Sequence, residues 1–279
     1  MQSVLITGAS TGIGEACALY MARQGWRVFA GIRKPKDAQR LAKMHKNITP
    51  VRVDVTKPTE IKTAMAAVRK KVGKLGLQGL VNNAGVAVAG PMEFLDVNEL
   101  RQQHEVNFLG QVAMTQSALP LLRVGKGRVV NISSISGRVT SPFLVPYSSS
   151  KFALEAFTDG LRRELRPWKL HVASIEPGPI ATPIWGKALE GAATTRSKLP
   201  RQAEALYGPA MQRMLKRAEA AAQRGVPPEA VARAAMHALA SRWPRTRYPV
   251  GRGVGFAIWA LRWLPDRVSD WLLTRSVRR

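Results

Sequence analysis

Short apolar runs that alternate with longer helical patterns constrain this chain more than any other feature. The runs cover residues 4–7, 27–30, 48–53, 79–82, 128–132 and 171–175. They are apolar on successive rather than alternate residues, the pattern of parallel strands buried on both faces. Residues 14–24, 59–71, 97–122 and 148–166 read as the intervening helices. Parallel strands need crossover connections, so the pattern predicts a doubly wound α/β sheet with helices on both sides. A chain of 279 residues buries about 75% of its unfolded surface in such a fold and needs neither disulfide nor metal to hold a core.

Past Glu176 the pattern breaks. Pro177, Gly178 and Pro179 turn the chain, and residues 182–206 are rich in Gly, Ala, Thr and Lys with weak periodicity, which predicts a lid. Helices are expected within 210–223 and over 228–240, the second opened by Pro227 and Pro228. The reading is one domain over 1–250, with a helical lid at about 182–225, followed by a basic, Trp/Arg-rich extension over 251–279.

Between the first strand and the first helix lies Thr7-Gly8-Ala9-Ser10-Thr11-Gly12-Ile13-Gly14. Glycines there let the backbone turn tightly, and the helix N-terminus offers N–H groups and a positive dipole to a pyrophosphate. That makes the sheet Rossmann-type and gives it a dinucleotide. Units that bind NAD carry an acidic residue at the end of the second strand for the ribose hydroxyls. Here the stretch is Gly31-Ile32-Arg33-Lys34-Pro35, with two cations and no carboxylate. A guanidinium clamps a 2′-phosphate with paired hydrogen bonds, so the expected cofactor is NADP(H).

Tyr147 and Lys151 are four residues apart at the start of a helical pattern, which puts both on one helix face. A cation near a phenol favours the phenolate, so the pair suits proton transfer near neutral pH. Polar groups also end the fourth strand (Asn82-Asn83-Ala84-Gly85), the fifth (Asn131-Ile132-Ser133-Ser134) and the sixth (Pro177-Gly178). Open α/β sheets bind their ligands at those carboxyl ends.

With these motifs in this order, the chain resembles the short-chain dehydrogenase/reductase family over residues 3–240. The resemblance implies catalytic roles for Ser134 as substrate hydrogen-bond donor, Tyr147 as acid/base, Lys151 as its electrostatic partner and ribose ligand, and Asn107 in a water-linked proton relay. It implies cofactor contacts from Gly8, Ser10, Thr11, Gly12, Ile13 and Gly14, from Arg33 and Lys34, and from Asp54 and Val55 beside the adenine. Asn83, Ala84, Gly85, Pro177, Gly178, Ile180 and Thr182 complete that set, Thr182 at the carboxamide. Asp54 has a plainer alternative as a cap for Thr56. A homo-oligomer, dimer or tetramer, is also implied, sharing the helices at 97–122 and 148–166.

Phe143, Leu144 and Val145 precede Tyr147 and are expected to line the mouth of the substrate pocket with Met92, Phe94 and Trp185. An apolar pocket with few polar groups suits a hydrophobic alcohol or carbonyl. In detail the chain is similar to the retinol and hydroxysteroid dehydrogenase branch, through residues 127–134, 155–165 and 175–178 and the tail motifs Leu264-Pro265-Asp266 and Leu273-Thr274-Arg275-Ser276. The substrate expectation is therefore retinoid-, steroid- or lipid-like. A ketoacyl or small-ketone reductase is the nearer alternative, with Lys187, Arg196, Lys198 and Arg201 meeting an anionic substrate.

Lys plus Arg number 43 against 18 Asp plus Glu, a net charge of +25 that suits anionic partners. The cations are spread along the chain and no nucleic-acid module is present, so nucleic acid is not expected. From Arg242 onward arginines interleave with Phe256, Trp259, Trp263 and Trp271. Such a segment suits peripheral membrane contact, a cover on the pocket, or a second subunit, and all three stay open. The lone Cys17 sits in an apolar stretch and reads as core. His45, His104, His171 and His237 lack metal-ligand spacing, so no metal is expected. The chain begins with a strand rather than a secretory signal, and the expected location is cytoplasmic, with or without membrane association.

Overall fold

A computed structural model describes residues 1–182 and 200–275. Seven parallel strands form one sheet: β1 (Ser3–Ile6), β2 (Arg27–Ile32), β3 (Ile48–Arg52), β4 (Gly79–Asn82), β5 (Arg128–Ile132), β6 (Val172–Pro177) and β7 (Arg247–Val250). Their order is β3-β2-β1-β4-β5-β6-β7, so the winding reverses between β1 and β4. The expected doubly wound sheet is present, with one strand more than its apolar runs indicate.

The helices are α1 (Gly12–Arg23), α2 (Lys36–Met44), α3 (Pro58–Val72), α4 (Val97–His104), α5 (Gly110–Gly125), α6 (Val145–Glu164), α7 (Arg201–Gln223), α8 (Pro228–Ala240), α9 (Val254–Trp263) and α10 (Asp266–Thr274). Alternation along the strands divides the core. Val4, Ile6, Val28, Val130 and Ile175 face one side and pack with Cys17, Ala18 and Met21 of α1 and with Val231 and Ala235 of α8. Leu5, Phe29, Leu80 and Val129 face the other and pack with Ile61 and Val68 of α3, Met114 and Leu122 of α5 and Leu161 of α6. Every strand between the edges thus carries apolar residues on both faces, which explains the unbroken apolar runs.

Two expectations change. The helix at 97–122 is interrupted by a π-helical turn, Glu105–Leu109, joining α4 to α5. The weakly periodic stretch up to 206 ends earlier, because α7 starts at Arg201 and buries Ala203 on its inner side. Cys17 is the packing residue expected: it is fully buried, and burial pushes its thiol up to about 12.

Candidate active site

The turn from β1 into α1 requires glycine at specific atoms. Gly8 and Gly12 have φ of +63° and +60°. A Cβ on Gly8 would lie 2.8 Å from the Ala84 Cα, and one on Gly14 would strike the Gly8 carbonyl oxygen and the Asn83 side-chain amide. The turn therefore lies against the end of β4, and Thr7 locks it there. Its Oγ1 accepts from the backbone N–H groups of Asn83 (2.9 Å) and Ala84 (3.0 Å), while Asn83 Nδ2 donates to the carbonyls of Thr7 (2.9 Å) and Gly8 (3.1 Å). Thr11 at the N-cap makes no side-chain cap, so the first amides of α1 are left for a ligand.

A cleft opens at this point, where the sheet reverses direction. Gly8, Ser10, Thr11, Gly12, Ile13, Gly31, Arg33, Val53, Asp54, Val55, Asn83, Ala84, Gly85, Val86, Val106 and Thr182 line it. A cradle with uncapped amides and a cation on its rim fits an elongated, phosphorylated dinucleotide. Asp54 serves as a wall and also as the plainer cap, its Oδ1 accepting from Thr56 N (3.0 Å) and Oγ1 (2.8 Å). Burial alone would raise the Asp54 pKa, but Thr56 and the charges of Arg33 and Lys57 hold it below the ordinary value. Lys34, Pro177, Gly178 and Ile180 are not among the lining residues. Ile180 is buried in the core and its backbone bridges to Val226. Lys34 lies in the bend between β2 and α2 and does not line the cleft that Arg33 lines.

Ser134 follows β5, and Tyr147 and Lys151 lie on the first turns of α6. Lys151 is buried, its Nζ donating to the Ile132 carbonyl at 2.8 Å and lying 5.8 Å from the Tyr147 ring centre. Desolvation lowers the Lys151 pKa to about 8, against the opposing charge of Glu155. Desolvation also raises Tyr147 above its ordinary value, and a side-chain hydrogen bond with Ser134 pulls it back. Asn107 is fully buried in the π-helical turn. Its Oδ1 accepts from Val86 N (2.8 Å), and its Nδ2 donates to Val86 O (2.9 Å) and Ser150 Oγ (3.0 Å). Gly85 draws the groups together, since a Cβ there would lie 3.4 Å from Asn107 Oδ1 and 3.9 Å from Lys151 Nζ. The cleft and the Tyr147–Lys151 pair are therefore contiguous.

Beside this centre stands an aromatic wall. Phe94, in the short turn Met92–Phe94, and Phe143 both meet Tyr207 of α7 edge-on, at 6.0 and 6.2 Å between ring centres. Tyr207 donates to Glu93 Oε2 at 2.7 Å. Phe143 holds φ +66°, a strained conformation for an aromatic residue, and its carbonyl accepts from Gly90 N (2.9 Å). Leu144 is half-buried, whereas Met92 and Val145 point more to solvent. Trp185, Lys187, Arg196 and Lys198 lie outside the described residues.

The profile of the short chain dehydrogenases matches residues 2–193. The chain belongs to the short-chain dehydrogenase family. It is accordingly an oxidoreductase acting on CH–OH groups and their carbonyls, and a nicotinamide cofactor is implied. One relative of this short-chain dehydrogenase is an NADPH-dependent 3-dehydrocapnine reductase from Ornithobacterium rhinotracheale, 39% identical over all of this chain and 98% of that one. Another is mouse (Mus musculus) retinol dehydrogenase 5, 36% identical over 97% of this chain and 87% of the other. Among solved structures it is similar to a short-chain dehydrogenase from Streptomyces avermitilis, with 26% identity and a TM-score of 0.76 over 97% of this chain and 96% of that one.

Sequence reasoning passed over Thr7, which locks the glycine turn, and Tyr207, which completes the aromatic wall. A polar residue between an apolar strand and a glycine loop is the signal that could have found Thr7. Tyr207 gives no local signal.

Proposed function

We propose that this short-chain dehydrogenase interconverts a hydrophobic alcohol and its carbonyl, retinoid-, steroid- or lipid-like, using NADP(H). The observation that carries the reading is the contiguity of Ser134, Tyr147 and Lys151 with a cleft whose rim holds Arg33. A carboxylate at that rim would repel a 2′-phosphate, whereas Arg33 can pair with two of its oxygens. The name of the 3-dehydrocapnine reductase supports NADPH and ketone reduction, and that of retinol dehydrogenase 5 supports an apolar alcohol. Phe94, Phe143 and Tyr207 supply an apolar wall for such a substrate.

The nicotinamide, when bound, supplies or takes the hydride. Ser134 and Tyr147 hold the carbonyl oxygen by hydrogen bonds. Tyr147 gives up its hydroxyl proton as negative charge develops there. Lys151, fixed by the Ile132 carbonyl, lowers the cost of the resulting phenolate. Asn107 holds Ser150 and Val86 next to that centre and supports a proton path back to Tyr147. In oxidation Tyr147 acts as the base. Leu109 and Phe152, exposed on the α4–α6 side, support a shared surface in a homo-oligomer.

Tyr147→Phe tests the assignment. Fluorescence titration should show NADPH binding retained, while turnover falls by ~10² or more. Turnover at the wild-type rate would remove Tyr147 from the chemistry.

A further inference from the structure

Beyond β7 the chain forms α9 and α10, whose inner and outer sides differ sharply. Val254 and Ile258 are buried and anchor α9, with Val254 packed where a Cβ on Gly178 would lie 2.6 Å from its Cγ2. On the outer side Phe256, Trp259 and Trp263 are 71%, 61% and 73% exposed. Their steps of three and four residues place them in one stripe. On α10 Val268, Trp271 and Leu272 are also exposed. The helices are thus docked to the sheet and present a large aromatic surface outward, more than scattered surface apolar residues explain.

Position and charge indicate what covers it. β7 runs parallel to β6, and Gly178 N donates to Val250 O at 2.9 Å, so α9 starts at the carboxyl end of the sheet. That is the end carrying Ser134 and Tyr147. Exposed arginines border the stripe: Arg252, Arg262, Arg267 and Arg275, the last stacked 5.3 Å from the Trp271 ring centre. Over 251–279 the sequence holds six arginines and two aspartates, in a chain of net charge +25. A second copy would bring the same cations against themselves, whereas anionic headgroups neutralise them. Among the described residues no helix is long and apolar enough to cross a membrane. Tryptophan favours the headgroup level, with arginine at its flanks.

We propose that α9 and α10 form a peripheral docking surface for an anionic lipid bilayer, turning the carboxyl end of the sheet toward the lipid. The proposal is independent of the substrate reading. The test is co-sedimentation of the full chain at physiological salt, with vesicles of phosphatidylglycerol and phosphatidylcholine or of phosphatidylcholine alone. Trp259→Ser/Trp263→Ser and Arg262→Gln/Arg267→Gln serve as variants, with thermal melts to verify folding. Wild type should bind the anionic vesicles, and each variant should bind roughly tenfold or more weakly. Quenching of wild-type tryptophan fluorescence by brominated acyl chains should report the same contact without any substitution. Three results would overturn the proposal. Wild type could fail to bind anionic vesicles. The tryptophan variant could bind as wild type does, leaving bulk charge as the cause. Light scattering could show the variants splitting an oligomer, with no vesicle binding in any form, which would make the stripe a subunit contact.

Discussion

Tyr147 and Lys151 sit where burial opposes the charge that each carries in its ionised form. It lowers Lys151 to about 8 and raises Tyr147 above its ordinary value, so in the free site the lysine titrates before the phenol. Tyr147 therefore keeps its proton at neutral pH while Lys151 stays cationic, which suits donation to a developing alkoxide. At the other end of the cleft Arg33 is the exposed cation expected to read the cofactor. Arg33→Asp should lower the ratio of kcat/KM for NADPH to that for NADH by roughly tenfold or more, through lost pairing and added repulsion. An unchanged ratio in steady-state assays would assign the phosphate to another group. Ser134, Tyr147 and Lys151 were legible in the sequence because strand ends and a four-residue helical step fix their neighbourhood. Ile180 and Lys34 were not, since the direction of a side chain just past a strand depends on how the strand ends. Tyr207 touches Phe94 and Phe143 only through tertiary packing.

Between elements, a partly buried ion cluster joins the turn after β5 to α6, β6 and β7. Arg247 lies 3.3 Å from Glu155, 3.2 Å from Glu176 and 2.8 Å from Asp159, and Arg138 lies 3.9 and 3.8 Å from the two glutamates. Burial, and then the charge of Glu155, pushes Glu176 up to about 7 in spite of both arginines. An unfolded glutamate titrates near 4.5, so from there to about 7 the folded chain binds the extra proton. Stability from this group should thus be present at low pH and fall as pH rises through that window. Glu176→Gln should flatten the fall, measured as a smaller loss of melting temperature between pH 5 and pH 7.5. A loss as large as in wild type would mean that another group titrates there. This cluster also explains β7, which the sequence concealed. Its four residues include Arg247 and Pro249, poor credentials for a strand, and an edge position tolerates the proline. The π-helical turn was equally hidden, because the contacts that go with it are tertiary: Asn107 within it reaches Val86 and Ser150, far away in the sequence.

At the scale of the molecule, the reversal of winding between β1 and β4 creates the cleft, and the carboxyl ends of β4 and β5 bring Gly85 and Ser134 to it, with Tyr147 and Lys151 on α6 alongside. That much was legible in the sequence, since two-faced apolar strands and a glycine turn admit few other arrangements. The role of the extension was not, because an amphipathic helix reads the same whether its outer face meets lipid, pocket or protein. We propose that the whole assembly moves hydride between NADP(H) and a hydrophobic carbonyl. Cofactor oxidation by the purified chain, NADPH against NADH, puts this to the test. The panel would hold 3-dehydrocapnine, retinal, ketosteroids, a medium-chain ketone and a ketoacyl thioester. Turnover should prefer NADPH and be fastest on an apolar, lipid-like carbonyl. NADH-preferring turnover, or turnover confined to the medium-chain ketone or the thioester, would contradict it.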